Sequence, residues 1–235
     1  MTTQRKRVVV LISGRGSNMA ALIEAAKEGA YPAEIVGVVT DNPGAEGLKI
    51  AEANGLPTET LARTDFPTRP AHEAALEETL RGFDAGIVAL AGYMRLLSPA
   101  FVGRWAGKLL NIHPALLPCF TGLDTHRRAL EAGVRVHGCT VHFVTAAMDD
   151  GPIVAQAAVP VLMDDDEASL SARVLKAEHR LYPMALALVC RDEARMTGNG
   201  TVFALPGTEH NPWILVSPDF SDVTQNVEDL ARFTP

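Results

Sequence analysis

Residues 7–29 read RVVVLISGRGSNMAALIEAAKEG, a strand, a glycine-bearing join and a helix in sequence. Arg7 to Ile12 is a continuous β-branched, apolar run closed by Ser13-Gly14, the pattern of a parallel strand buried on both faces. The segment 18–29 then spaces its apolar residues as a helix does and stops at Gly29. The join, Ser13 to Asn18, carries two glycines that let the backbone approach a ligand closely. Ser17 and Asn18 are placed to cap the helix, whose first N–H groups would point at an anion. A bound phosphate explains this loop; so does a tight turn with a good cap. It is neither G-x-G-x-x-G, since Met19 falls where the third glycine belongs, nor a P-loop, since no G-K-[ST] follows.

Working outward, residues 34–40 (EIVGVVT) predict a second strand and residues 45–55 a helix ending at Asn54-Gly55. A short strand near 57–61, a helix over 70–81 and a buried strand at 85–91 (AGIVALA) follow. Strand and helix alternate through about residue 95, which predicts an α/β fold with an open, mostly parallel, doubly wound (Rossmann-like) sheet. Its crossovers are expected to be right-handed, with ligands beyond the carboxyl ends of the strands.

The second half changes character. Residues 108–113 (KLLNIH) predict a strand running into a Pro-rich loop, and 125–132 a short helix. The alternating segment 136–144 and the segment 153–161 predict a β-hairpin across the turn Asp149-Asp150-Gly151-Pro152. A long helix is expected over 167–191, opened by Asp164, Asp165 and Asp166. Pro183 is expected to kink it or to start a new segment. Past Gly198 the pattern weakens, and 206–235 reads as irregular or as a loosely docked arm.

The 235 residues suit one α/β domain, or one with a small appendage. The formal net charge of −7 argues against a broad nucleic-acid surface. Cys119, Cys139 and Cys190 are odd in number, widely spaced and without a C-x-x-C, so neither disulfides nor a thiolate metal site is expected and a reducing cytoplasm fits. The run Val8 to Ile12 is too short for a signal segment or a membrane span.

Three further constellations bear on chemistry. Asn111 and His113 of NIHP lie two apart on a strand and so share a side, where they could hold an oxyanion and move a proton. A histidine satisfying carbonyls at a strand end is the plainer reading. Met148 to Pro152 offers a carboxylate that could orient His113, and is also an ordinary acidic turn. His137 and His142, five apart, should face opposite ways and so not share a metal. The stretch Ala91 to Pro99 (AGYMRLLSP) suits either a pocket for a flat aromatic ligand or core leading into a helix.

Taken in order, SGRGSN, AGYMRLLSPAFV, LLNIHPALLP, GLDTHRRALEAG, HGCTVHFV, MDDGPIVAQ and AEHRLYP closely resemble the folate-dependent glycinamide ribonucleotide formyltransferases of purine synthesis, over about residues 7–200. NIHP with the later DGP turn marks the wider formyltransferase fold, and the SGxGSN loop marks this branch. The resemblance implies transfer of a formyl group from 10-formyltetrahydrofolate to the amine of glycinamide ribonucleotide, with no metal. It implies a catalytic group of Asn111, His113 and Asp149. It places the acceptor phosphate on Gly16, Ser17 and Asn18, its ribose hydroxyls on Glu178, and the folate against Met94, Arg95, Leu96 and Leu97 with Asn111 and Asp149. The formyltransferase domain would span 1–200, with the phosphate-binding half at about 1–105, the folate-binding and catalytic half at about 106–200, and an extension of no assigned role at 201–235.

In the implied mechanism the neutral amine attacks the formyl carbon directly. Asn111 and His113 donate to the oxyanion, and Asp149 orients His113 and favours its cationic form. Partners are then small molecules, with neither nucleic acid nor membrane, acting as a monomer or homodimer in the cytoplasm. Two positions depart from the family pattern. Asp150 stands where glycine is usual, which should affect the loop because Asp enters glycine's dihedrals less easily. Asp124 stands where a histidine is usual, so local pH behaviour should differ. Formyltetrahydrofolate hydrolases usually carry an N-terminal regulatory domain and lack SGxGSN. Methionyl-tRNA formyltransferases need a further RNA-binding domain, for which the 35-residue tail is too short. A non-catalytic phosphate-binding module would leave the Asn, His and Asp unexplained.

Overall fold

A computed structural model describes residues 5–198, 200–204 and 216–217. In chain order it runs β1 (Lys6–Ile12), α1 (Ser17–Ala26), β2 (Ala33–Thr40), α2 (Gly47–Ala53), β3 (Thr58–Thr60), α3 (Arg69–Gly82), β4 (Ile87–Leu90) and α4 (Pro99–Arg104). It continues with β5 (Leu109–His113), α5 (Thr125–Glu131), β6 (Val136–Phe143), β7 (Ile153–Pro160), α6 (Glu167–Cys190), β8 (Ala194–Thr197), β9 (Gly200–Phe203) and β10 (Val216–Ser217). The main sheet has the order β10-β7-β6-β5-β4-β1-β2-β3. The five strands from β3 to β5 are parallel, and β6, β7 and β10 extend the sheet antiparallel. The expected doubly wound sheet and hairpin are both present.

β1 shows why the opening stretch forms a central strand. Val8, Val10 and Ile12 enter one apolar core beneath α1 and α6, while Val9 and Leu11 enter a second with Leu76 and Leu80 of α3 and Phe101 of α4. All five residues are fully buried. A polar side chain at any of them would be stranded without water. The chain builds outward from β1 to β2 and β3, then returns to place β4 on the other side. That reversal opens a crevice at the carboxyl ends of β1 and β4.

The structure corrects one local expectation and refines two others. Neither Ser17 nor Asn18 caps α1: the cap position is Gly16, at φ 74, and no side chain accepts from the helix's first N–H groups. A side chain at Gly16 would also place its Cβ 2.8 Å from Gly47 Cα. Pro183 does not start a new segment, because α6 runs through it as one helix of 24 residues. Packing of α6 along the sheet and against α1 holds it there, and Tyr31 donates its hydroxyl to the Pro183 carbonyl at 2.6 Å. On either side of Gly198, where the pattern fades, β8 and β9 form a second small hairpin. Four-residue strands this exposed carry no alternation to read. Of the tail at 206–235, Val216–Ser217 pair with β7 and the rest lies outside the described residues.

The opening of α6 is as expected. Asp166 caps it in a reciprocal box with Ser169, and Asp165 is held by Arg173 at 2.6 Å.

Candidate active site

Two groups of sequence-marked residues meet at the carboxyl edge of the parallel strands. The first is a cleft of about 220 Å³ bordered by Gly14 to Asn18, by Ala91 and Gly92 after β4, by Pro114 after β5, and by His126, Ser171 and Glu178. The uncapped N–H groups of α1 and the exposed Arg15 give its loop side a positive character. Opposite stands Glu178, 6% exposed, which accepts from Asn18 Nδ2 at 2.7 Å. Burial raises the Glu178 carboxyl above its ordinary range, and the Asn18 hydrogen bond and Arg15 work against that rise.

The second group centres on Asp149. Its Oδ2 lies 3.5 Å from His113 Nδ1 and accepts from the Gly122 N–H at 2.8 Å. Its Oδ1 lies 4.0 Å from His142 Nε2. His113, 5% exposed, donates from Nε2 to the Phe120 carbonyl at 3.0 Å. The segment Phe120 to Asp124 thus touches both residues, and it does so through positive φ at Phe120, Gly122 and Asp124. A phenylalanine at φ 55 is strained backbone, here used to aim a carbonyl at the histidine.

Asn111 sits opposite His142 in the β5–β6 register, and its Nδ2 lies 3.2 Å from His142 Nε2. His142 Nδ1 donates to the Phe143 carbonyl at 2.9 Å. His142 and His137 face different neighbours, as their spacing predicts: His137 stacks edge-on against Phe120 and His126. Among the described residues no group of three or more His, Cys, Asp or Glu is placed to hold a metal ion.

The turn at Asp149 differs from expectation. Positive φ falls on Asp149, at 53, and not on Asp150, so the Asp-for-glycine exchange meets no left-handed strain. The glycine the turn requires is Gly151, where a Cβ would lie 1.7 Å from the Phe143 carbonyl oxygen. Asp124 is exposed and pairs with Arg127 at 2.7 Å, occupying the cap position of α5 at φ 55.

Met94 to Leu97 form an extended surface segment after β4, whose Leu90 pairs with Asn111 of β5. Met94 N–H donates to Ser13 Oγ at 2.9 Å, and Arg95 binds the buried Asp41, which Ser13 also contacts. The segment has an exposed part and a part that leads into the core. Met94 and Leu96 are exposed, and Arg95, Leu96 and Leu97 line a small pocket with Arg63, Arg69 and Tyr93. The segment then enters α4, which buries Phe101 and Val102.

Residues 6–186 match the family described as Formyl transferase. The chain belongs to the formyl transferase family. The family read from the motifs is borne out. This formyl transferase is 44% identical over 192 residues to phosphoribosylglycinamide formyltransferase of Escherichia coli (strain K12), covering 82% of this chain and 91% of that protein. It is 46% identical over 196 residues to trifunctional purine biosynthetic protein adenosine-3 of Drosophila melanogaster, covering 83% of this chain but spanning only 14% of that relative's length. The crystal structure of phosphoribosylglycinamide formyltransferase from Brucella melitensis superposes with a TM-score of 0.77 at 56% identity, covering 80% of this chain and 96% of that one.

Sequence reading missed several residues that surround the candidate site. Arg15, His126 and Ser171 border the cleft, Phe120 and Gly122 clasp the histidine and the aspartate, and His142 meets Asn111. Only His126 and His142 carry a chemical signal in the sequence; the other contacts are made by backbone or by ordinary surface side chains.

Proposed function

We propose that the chain transfers the formyl group of 10-formyltetrahydrofolate to the amine of glycinamide ribonucleotide, giving formylglycinamide ribonucleotide and tetrahydrofolate in purine synthesis. The observation that carries this reading is the cleft that runs from the Gly14–Asn18 loop to Pro114, the residue after His113. A helix terminus that favours an anion thus lies along the same strand edge as a group able to stabilise an oxyanion. The relatives named for the same reaction support it.

The acceptor phosphate lies on Gly16, Ser17 and Asn18, and Glu178 takes the ribose hydroxyls. The folate lies along Met94 to Leu97 and reaches Asn111 and Asp149. The neutral amine nitrogen attacks the formyl carbon, and the carbonyl π bond becomes an oxyanion. Asn111 donates one N–H to it, and His113 turns its Nε2–H from Phe120 to the same oxygen. Asp149 keeps the His113 ring oriented. The attacking nitrogen loses a proton, which passes by Asp149 or a bound water to N10 as the N10–carbon bond breaks. The working unit is the domain at 1–200, in the cytoplasm, as a monomer or homodimer, with small-molecule partners and no metal.

A coupled absorbance assay with 10-formyltetrahydrofolate, run with and without glycinamide ribonucleotide, tests this. Tetrahydrofolate formed only with the nucleotide is the expected result. Equal deformylation without it would assign a hydrolase, and no turnover in either case would remove the proposal.

A further inference from the structure

Resting on that reading, we propose that His142 is a positioning residue: held with its proton on Nδ1, it turns the Asn111 amide so that nitrogen, not oxygen, serves the oxyanion.

The argument starts from the Phe143 carbonyl. A carbonyl only accepts, so the proton of the 2.9 Å contact sits on His142 Nδ1. In the neutral ring Nε2 is then a bare lone pair. It faces Asn111 Nδ2 at 3.2 Å, and only the NH₂ end of the amide complements it. One N–H of Asn111 is thereby spent on His142, and the second N–H of the same nitrogen is left for the substrate.

The surroundings maintain this tautomer. His142 is 2% exposed, and burial, the largest influence, lowers its pKa; nearby His113 acts the same way, while the Phe143 hydrogen bond and Asp149 oppose. Asp149 Oδ1, at 4.0 Å, is the one carboxylate facing Nε2 among the described residues. Gly151 leaves room for the contact, since a Cβ there would lie 1.7 Å from the Phe143 oxygen and 3.2 Å from His142 Nδ1. Were His142 protonated, donor would face donor. The amide would turn over, and a carbonyl oxygen would meet the oxyanion in place of an N–H.

The test has two arms on the full chain. First, ¹⁵N NMR of the histidine side chains should show His142 as the neutral Nδ1–H tautomer at neutral pH; an Nε2–H or doubly protonated ring overturns the proposal. Second, kinetics of His142→Leu, His142→Gln and Asn111→Ala should form a cycle. His142→Leu should lower kcat by about 10–100-fold with KM for both substrates little changed, the scale of a misplaced catalytic group. His142→Gln, whose side-chain oxygen can accept from Asn111, should recover most of that loss. In the Asn111→Ala background His142→Leu should cost nothing further. An equal loss in both backgrounds would assign His142 a merely structural role. If the leucine variant does not fold, the tautomer result still decides. Wild-type protein that shows the tautomer but no nucleotide-dependent turnover would sink the proposed function and leave the His142–Asn111 geometry standing.

Discussion

Asn18 donates to the Glu178 carboxylate at 2.7 Å and so joins α1 to α6 across 160 residues of chain. The contact buries an acid that has one neutral donor and one distant cation for company. Such a group is poorly satisfied by the protein alone and well placed to accept from a ligand's hydroxyls.

Glu178→Gln should therefore separate binding from stability. Losing hydrogen bonds to a charged acceptor costs about 1.5–3 kcal/mol, or roughly 10–100-fold in KM for the nucleotide. Stability moves the other way. A carboxyl whose folded pKa is raised contributes stability below its unfolded pKa of about 4.3 and loses it as pH rises through the folded value. The glutamine variant should match or exceed wild type in urea midpoint at pH 7, with its advantage shrinking in acid. A less stable variant at neutral pH would contradict this account.

His113→Ala and Asp149→Asn should each lower turnover by about 100–1,000-fold, the usual cost of one oxyanion donor or its orienting partner. Steady-state kinetics on variants with unchanged circular dichroism checks this. Near-normal turnover in either would refute the assigned role.

Gly151→Ala should destabilise by about 1–3 kcal/mol or more, because its Cβ has nowhere to go but into the Phe143 carbonyl. Gly103→Ala in α4 is the matched control. It meets nothing within 4 Å and should gain about 0.5–1 kcal/mol from lower unfolded-state entropy and better helix propensity. Thermal and urea unfolding of the pair should therefore shift in opposite directions.

Burial, with help from His126 and His113, pushes His137 down to about 4. Between about 6.5, where an unfolded histidine protonates, and about 4, the unfolded chain binds more protons. Stability from this source is thus lost as pH falls through that window, with no further loss below it. His137→Phe keeps a ring against Phe120 and His126 and should flatten the slope. Urea midpoints of both proteins at pH 7.5 and pH 5 provide the comparison, and parallel falls in the two would exclude His137 as the source.

The elements of the fold were legible because each carries a local period. Val8 to Ile12 read as a two-sided strand, and the structure fills both cores with it. Helices at 45–55 and 70–81 stand within two or three residues of expectation, as α2 and α3. Pro183 left two readings open, a kink or a new segment, and tertiary packing excludes the second, because α6 is held along its length by the sheet and α1. The hairpin of β8 and β9 escaped because half-exposed four-residue strands leave no alternation.

At the candidate site the chemical groups could be read from the chain alone: which residues carry amides, imidazoles and carboxylates, and which loop has the glycines that would suit an anion. Tertiary structure alone decided the pairing. Asn18 and Glu178 share no local pattern and meet because α1 packs against α6, and Asn111 and His142 meet because β6 runs antiparallel beside β5. Even the strained φ at Phe120 has no local signature, since the contacts that hold it there, to His113 and beside Asp149, come from strands elsewhere in the chain. Periodicity records what a segment does with its own neighbours, and these contacts depend on where other segments end.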